Sequence, residues 1–363
     1  MRQLGISLYP HQAREAENIA YIELAARYGF KRIFTCLLST GEQAAEDTVK
    51  EFKMLTACAR RHGMVVVADV EPAIFTRFGV SYQNLSFFNE LGLDGIRLDL
   101  GFSGMEEAYM TLNPYGLKIE LNASNGTKYV DNILSYHPKV ENILGCHNFY
   151  PHVYTGLGYS HFIKCSRQFK ELGIRTAAFI NSRDAAFGPW PVTEGLCTLE
   201  MHRELPIEVQ AKHLFATGLI DDVIIANAFA SEEELKKVSA VDKDMLEFTV
   251  TFSEGTPSLE RKIVLEEFHF NRGDVSEYVV RSTQSRVKYK DCQFPPFYTP
   301  PIRRGDVLIE SSLYARYAGE LQIALTSMKN SGKTNVVGRI AENEIFLLDY
   351  LEPWMKFKFT ACK

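Results

Sequence analysis

The sequence predicts an eight-fold β/α barrel followed by a smaller, β-rich region. Three observations carry this. Residues 1–241 alternate short apolar segments with helical patterns eight times. That stretch matches the ~250 residues typical of a TIM barrel. Beyond residue 242 the apolar period changes from helical spacing to strict alternation.

The eight strand candidates are Leu4–Leu8, Arg32–Leu37, Met64–Val70, Gly95–Asp99, Leu117–Asn122, Asn142–Phe149, Arg175–Ile180 and Asp222–Ala228. Met64-Val65-Val66-Val67-Ala68-Asp69-Val70 is the plainest, a continuous β-branched run of the kind buried on both faces of a parallel sheet. Between strands, Ile19, Ile22 and Ala26 repeat at helical spacing, as do Val49, Phe52, Leu55 and Ala59. Gly63 then marks a helix end, and Pro206–Thr217 opens another helix on a proline. A doubly wound open sheet is the main rival. It usually has fewer strands, and Ser7-Leu8-Tyr9-Pro10 stands where its glycine-rich turn would follow the first strand.

In residues 242–363, Leu246, Phe248, Val250 and Phe252 alternate with polar residues, as in a half-buried antiparallel strand. Further strands are predicted at Ser276–Ser282, Val307–Ser311, Asn335–Ile340 and Glu344–Tyr350, with one helix near Tyr317–Met328. The run Phe294–Pro301 reads as an extended, proline-rich loop.

Composition narrows the function. The chain has 363 residues, 46% hydrophobic and 23% charged, with net charge −5 and no basic run, so neither nucleic acid nor an anionic membrane is an expected partner. No apolar stretch reaches the ~20 residues that span a bilayer, and no signal peptide precedes the first strand. The seven cysteines are scattered, with neither a disulfide framework nor zinc-finger spacing, so a cytoplasmic protein with no metal and no cofactor is expected. Gly332-Lys333-Thr334 lacks the first glycine of a P-loop, Ser327 standing there instead.

Barrel enzymes place their reacting groups at the C-terminal ends of the strands. Period-two alternation sets Val65, Val67 and Asp69 on one face of their strand, Arg97 with Asp99, and Glu120 with Asn122. If that face is the lumen, Asp69, Asp99 and Glu120 converge on one mouth, with Arg97 able to hold a carboxylate ionised. A strand-end Asp can equally cap a helix, and an Arg–Asp pair can be purely structural. After the sixth strand comes Cys146-His147-Asn148-Phe149-Tyr150-Pro151-His152, where His147, Asn148 and Tyr150 are candidates to contact a substrate. A lone strand-end His is more often a hydrogen-bonding residue than a metal ligand. The long loop after the seventh strand contributes Asn181, Arg183, Trp190 and Arg203, and the eighth strand contributes Asn227. Trp190 suits a sugar face, and the arginines suit a phosphate unless they are plain surface charges.

Several segments resemble the bacterial 6-phospho-N-acetylmuramidase (MupG-type) family. They are Leu4-Gly5-Ile6-Ser7-Leu8-Tyr9-Pro10, Asp94-Gly95-Ile96-Arg97-Leu98-Asp99, Gly145-Cys146-His147-Asn148-Phe149-Tyr150-Pro151 and, in the second region, Tyr317-Ala318-Gly319-Glu320-Leu321-Gln322. The resemblance implies a TIM barrel joined to a cyclophilin-like domain. It also implies cytoplasmic hydrolysis of a 6-phosphorylated muramic acid–glucosamine disaccharide in cell-wall recycling. Glycoside hydrolysis needs an acid and a second carboxylate; Asp99 and Glu120 are the expected pair, with Asp69 third. Arg183, Arg203 and Arg281 are the candidates for the acidic groups of such a phosphorylated amino sugar. The second region reads equally as a stability or homodimerisation module and as one that closes over substrate. Two rival functions share the barrel: a phosphosugar lyase, aldolase or isomerase, for which Lys118 is the available Schiff-base lysine, and a non-catalytic sugar-phosphate sensor.

Overall fold

The computed structural model describes residues 1–37, 45–185, 187–189, 191 and 194–362. It divides into two compact units, Met1–Ala240 and Val241–Lys363.

In the first unit, β1 (Gln3–Leu8), β2 (Arg32–Cys36), β3 (Val65–Val70), β4 (Gly95–Leu98), β5 (Lys118–Asn122), β6 (Ile143–Cys146), β7 (Arg175–Ile180) and β8 (Asp222–Ile225) form a closed parallel barrel. β8 returns to pair with β1, Gln3 opposite Asp222. The helices are α1 (Glu15–Arg27), α2 (Ala45–Arg61), α3 (Pro72–Arg77), α4 (Ser86–Glu90), α5 (Met105–Met110), α6 (Tyr129–Leu134), α7 (Tyr159–Glu171), α8 (Ile207–Ala216) and α9 (Glu232–Ser239). The strands are largely buried on both faces because one face meets the helices and the other fills the lumen, where Arg32, Asp69, Arg97, Glu120 and Asp222 join the apolar side chains. Gly63 ends α2 at φ +64°, a left-handed conformation that costs glycine nothing.

Register sets the lumen. Cys36, Asp69, Arg97 and Glu120 lie side by side on β2 to β5. Arg32 reaches both Glu120 and Asp222, on strands that are not its neighbours. Only inward-pointing side chains can meet across a barrel, so this parity is the luminal one. One side of the lumen is aromatic: Phe34 and Phe179 meet edge to face at 5.1 Å, and Phe149 packs on Phe179 at 5.1 Å.

The second unit is a seven-stranded sheet, built from β9 (Leu246–Phe252), β10 (His269–Phe270), β11 (Val279–Ser282), β12 (Asp306–Glu310), β13 (Leu321–Ala324), β14 (Thr334–Ile340) and β15 (Lys356–Ala361) in the order β10-β15-β9-β14-β12-β13-β11. It also carries α10 (Ser258–Glu266) and α11 (Gln284–Lys288). Two expectations are corrected here. The helix expected near Tyr317–Met328 gives way to β13, because Leu321 and Ile323 alternate into the core while Gln322 pairs with Arg281 and Leu308. The strand expected at Glu344–Tyr350 is a run of 3-10 turns, Glu342–Tyr350, in which Leu347 and Leu348 are both buried and two-residue alternation fails. The sequence reading passed over β15, whose Phe357 and Phe359 are buried and which runs parallel to β9.

Candidate functional site

The mouth of the barrel is organised around Arg97. Its side chain is almost wholly buried, and Nη1 donates to Asp69 Oδ1 at 2.7 Å and to Asp99 Oδ1 at 3.3 Å. Nη2 donates to Asn148 Oδ1. The two aspartate oxygens share one nitrogen, so they lie no more than about 6 Å apart. Their surroundings differ. Asp69 is buried at the end of β3, whereas the Asp99 side chain is 38% exposed just beyond β4. Burial pushes the Asp69 carboxyl up to about 6, against the opposing pull of Arg97. One guanidinium thus serves two carboxylates, and the more deeply buried one exchanges its proton within about a unit of neutral pH.

Glu120 lies lower. It is completely buried, and its Oε2 accepts from Arg32 Nη2, while Arg32 Nη1 donates to Asp222 Oδ2 at 2.9 Å. Arg175 Nε completes this layer with a 3.0 Å bond to Asp222 Oδ2. Glu120 Oε1 is buried with no hydrogen-bond partner among the described residues. Lys118 belongs to the N-terminal end of the barrel, where its Nζ donates to Glu141 O at 2.9 Å and Asn142 Oδ1 at 2.8 Å. A Schiff-base lysine at the mouth is not what this placement provides.

The segment after β6 supports the arginine from the other side. His147 is fully buried against Phe162, with Nε2 2.8 Å from Ser166 Oγ and Nδ1 3.3 Å from Ser124 Oγ. Burial lowers its pKa to about 3, so the imidazole is neutral. Ser124 Oγ in turn accepts from the Asn148 amide at 2.8 Å, and Asn122 Oδ1 accepts from the Ser124 amide at 2.9 Å. Asn122 and the segment after β5 therefore fix the Asn148 main chain, whose carboxamide holds Arg97. Tyr150 is half-buried, and burial raises its phenol.

The remaining candidates from the sequence hold loops. Each side-chain nitrogen of Arg203 is engaged: Nε and Nη2 by Glu200 at 2.8 and 2.7 Å, Nη1 by the Glu194 carbonyl at 2.8 Å. Arg203 also bonds the Tyr150 and His152 carbonyls, and it holds the Glu200 carboxyl down to about 2. This clamp ties the loops after β6 and β7 together. Asn181 Oδ1 accepts from the Leu196 amide at 2.8 Å, and Asn227 Oδ1 from the Ser182 amide at 3.0 Å. Arg183 is exposed and donates to the Glu204 carbonyl. Trp190 lies outside the described residues. Arg281 belongs to the second unit, where its Nε meets the buried Glu320 at 2.7 Å.

So Asp69, Arg97, Asp99 and Asn148 are hydrogen-bonded together, whereas Glu120 joins a separate layer with Arg32. Sequence reasoning passed over Arg32 and Ser124. Arg32 has the luminal parity that singled out Arg97, a usable signal; nothing in the sequence distinguishes Ser124.

The sequence profile of the N-terminal part of 6-phospho-N-acetylmuramidase matches residues 4–240, and that of its C-terminal part matches residues 246–360. No curated protein matches the chain. Among solved structures, an uncharacterized B. cereus protein is 53% identical, with 99% of each chain covered and a TM-score of 0.93. A conserved Enterococcus faecalis protein of unknown function is 26% identical, with 99% of this chain and 96% of that one covered and a TM-score of 0.74.

Proposed function

This chain belongs to the 6-phospho-N-acetylmuramidase family, and from that premise we propose that it hydrolyses the glycosidic bond of 6-phospho-N-acetylmuramyl-N-acetylglucosamine at the barrel mouth. The observation that carries the reading is the sharing of Arg97 between Asp69 and Asp99, two carboxylates in unequal settings. Glycosidases separate acid from base in this way, by giving paired carboxyls different environments.

In this reading Asp69, its carboxyl raised to about 6 by burial, protonates the departing sugar oxygen. Asp99, more exposed, acts on the other side of the bond. It attacks the anomeric carbon or steadies the substrate's own N-acetyl group as the nucleophile, and water, giving its proton to the now ionised Asp69, then displaces that nucleophile and releases the sugar. The two oxygens that share Arg97 lie within about 6 Å of each other, compatible with the close pairing of ~5–5.5 Å that retaining enzymes use. Arg97 is the positioning residue that sets both carboxylates. In this reading Asn148 and Tyr150 meet sugar hydroxyls, and the Glu120–Arg32 pair supports the lumen beneath. A phosphorylated substrate puts the reaction in the cytoplasm, within cell-wall recycling.

The test is incubation with the phosphorylated disaccharide and product analysis by NMR. Free N-acetylglucosamine and N-acetylmuramic acid 6-phosphate are expected, with retention at the anomeric centre. Binding of the disaccharide without turnover would instead identify a sensor.

A further inference from the structure

Away from the barrel mouth, α1 and α2 bring three metal-competent side chains together. Cys58 lies in the last turn of α2 and His62 follows four residues later, a spacing that puts both on one side of the helix end. Glu23 comes from α1. A carboxylate oxygen of Glu23, the Cys58 Sγ and a ring nitrogen of His62 all lie within 4.8 Å of one another. Cys58 is buried, His62 half-buried and Glu23 exposed, so the group opens to solvent on one side. None of the three side chains has a hydrogen-bond or ion-pair partner among the described residues. Glu and His at this range ordinarily pair, and a half-buried polar group left alone is unfavourable.

We propose that Glu23, Cys58 and His62 form a binding site for a zinc-class divalent cation, with water in the fourth position. The donor set argues for that class: thiolate and imidazole disfavour magnesium and calcium, and one thiolate with one imidazole and one carboxylate suits a tetrahedral, borderline-soft ion. With metal–sulfur near ~2.3 Å and metal–nitrogen near ~2.0–2.1 Å, donor atoms stand roughly 3.5 Å apart. From within 4.8 Å of one another, the three need to close by about 1.3 Å at most, a shift within the reach of rotating the two less buried side chains. Lys31, whose Nζ donates to the His62 carbonyl at 3.3 Å, is the neighbouring cation the site must tolerate. Binding releases the Cys58 thiol proton to solvent, so affinity falls with acid. The ion would tie α1 to α2 on the outside of the barrel.

The test is titration of the full-length, chelator-stripped protein with Co²⁺, then thermal melting with Zn²⁺. One equivalent of cobalt should bring up the thiolate-to-cobalt charge-transfer band, and zinc should raise Tm. Cys58→Ser should abolish the band, while the Cys292→Ser/Cys362→Ser double variant should keep it. His62→Gln and Glu23→Gln should each weaken cobalt binding by at least the ~10-fold that loss of an outer-shell partner costs. A missing band, or a band that survives Cys58→Ser, overturns the proposal. If Cys58→Ser does not fold, unchanged cobalt affinity in both other variants does the same.

Discussion

Two arginine–carboxylate clusters occupy one barrel lumen, built from the same residue types and differing in their neutralisation. The lower cluster has two arginines, Arg32 and Arg175, for the two carboxylates Glu120 and Asp222. The upper cluster has one arginine, Arg97, for Asp69 and Asp99, and part of it faces solvent. Buried charges that are matched in number hold a structure together, and removing one partner is costly. A cluster short of one cation leaves a buried carboxyl ready to exchange its proton near neutral pH, which is what acid–base work requires. Charge balance and access, rather than residue type, separate the two roles.

The largest effect should come from cutting the upper cluster. Asp69→Asn should lower turnover on the phosphorylated disaccharide by about 10³-fold, with Tm unchanged or higher, since the substitution removes a carboxyl whose charged form burial disfavours. Steady-state kinetics beside a thermal melt would check both halves. Arg32→Met should do the reverse. Stranding Glu120, while Asp222 keeps Arg175, should cost about 3–5 kcal/mol of stability by denaturant unfolding, and folded protein at low temperature should keep near-normal kcat.

A third, gentler probe is pH. The folded-state pKa of Asp69 is raised to about 6, against ~3.9 unfolded, so between these values the folded protein holds a proton the unfolded chain has lost. Its contribution to stability is therefore present below about pH 4 and is lost as pH rises to about 6, at most about 3 kcal/mol in all. The same ionisation should set the alkaline limb of the rate profile. Asp69→Asn should flatten the stability slope, and an unchanged slope would assign it to another group. Smallest of all, Arg183→Gln should change kcat/KM by no more than about twofold, because the side chain is exposed and already engaged by a backbone carbonyl.

Much of the barrel was legible because its strands are continuous apolar runs closed by polar residues. Val65 to Val70 needs no partner to be recognised. Parity then placed Asp69, Arg97 and Glu120 in the lumen. Depth was not legible. Strand tilt and stagger decide that Glu120, opposite Arg97 in register, is drawn to Arg32 instead. Arg203 and His147 were ambiguous for another reason. Whether a guanidinium or imidazole is free depends on carbonyls and hydroxyls supplied by other loops, and no local pattern encodes those. In the second unit, β13 is only four residues long, too short for its alternation to stand out from helical spacing.

If Asp69 is the acid and Asp99 its partner, Asp69→Asn should part from wild type differently on two substrates, the phosphorylated disaccharide and a nitrophenyl 6-phospho-N-acetylmuraminide. Nitrophenolate departs without protonation. Asp69→Asn should lose most of its turnover on the disaccharide but little of glycosidic bond cleavage on the nitrophenyl substrate. Equal losses on both, or full activity on the disaccharide, would contradict that assignment.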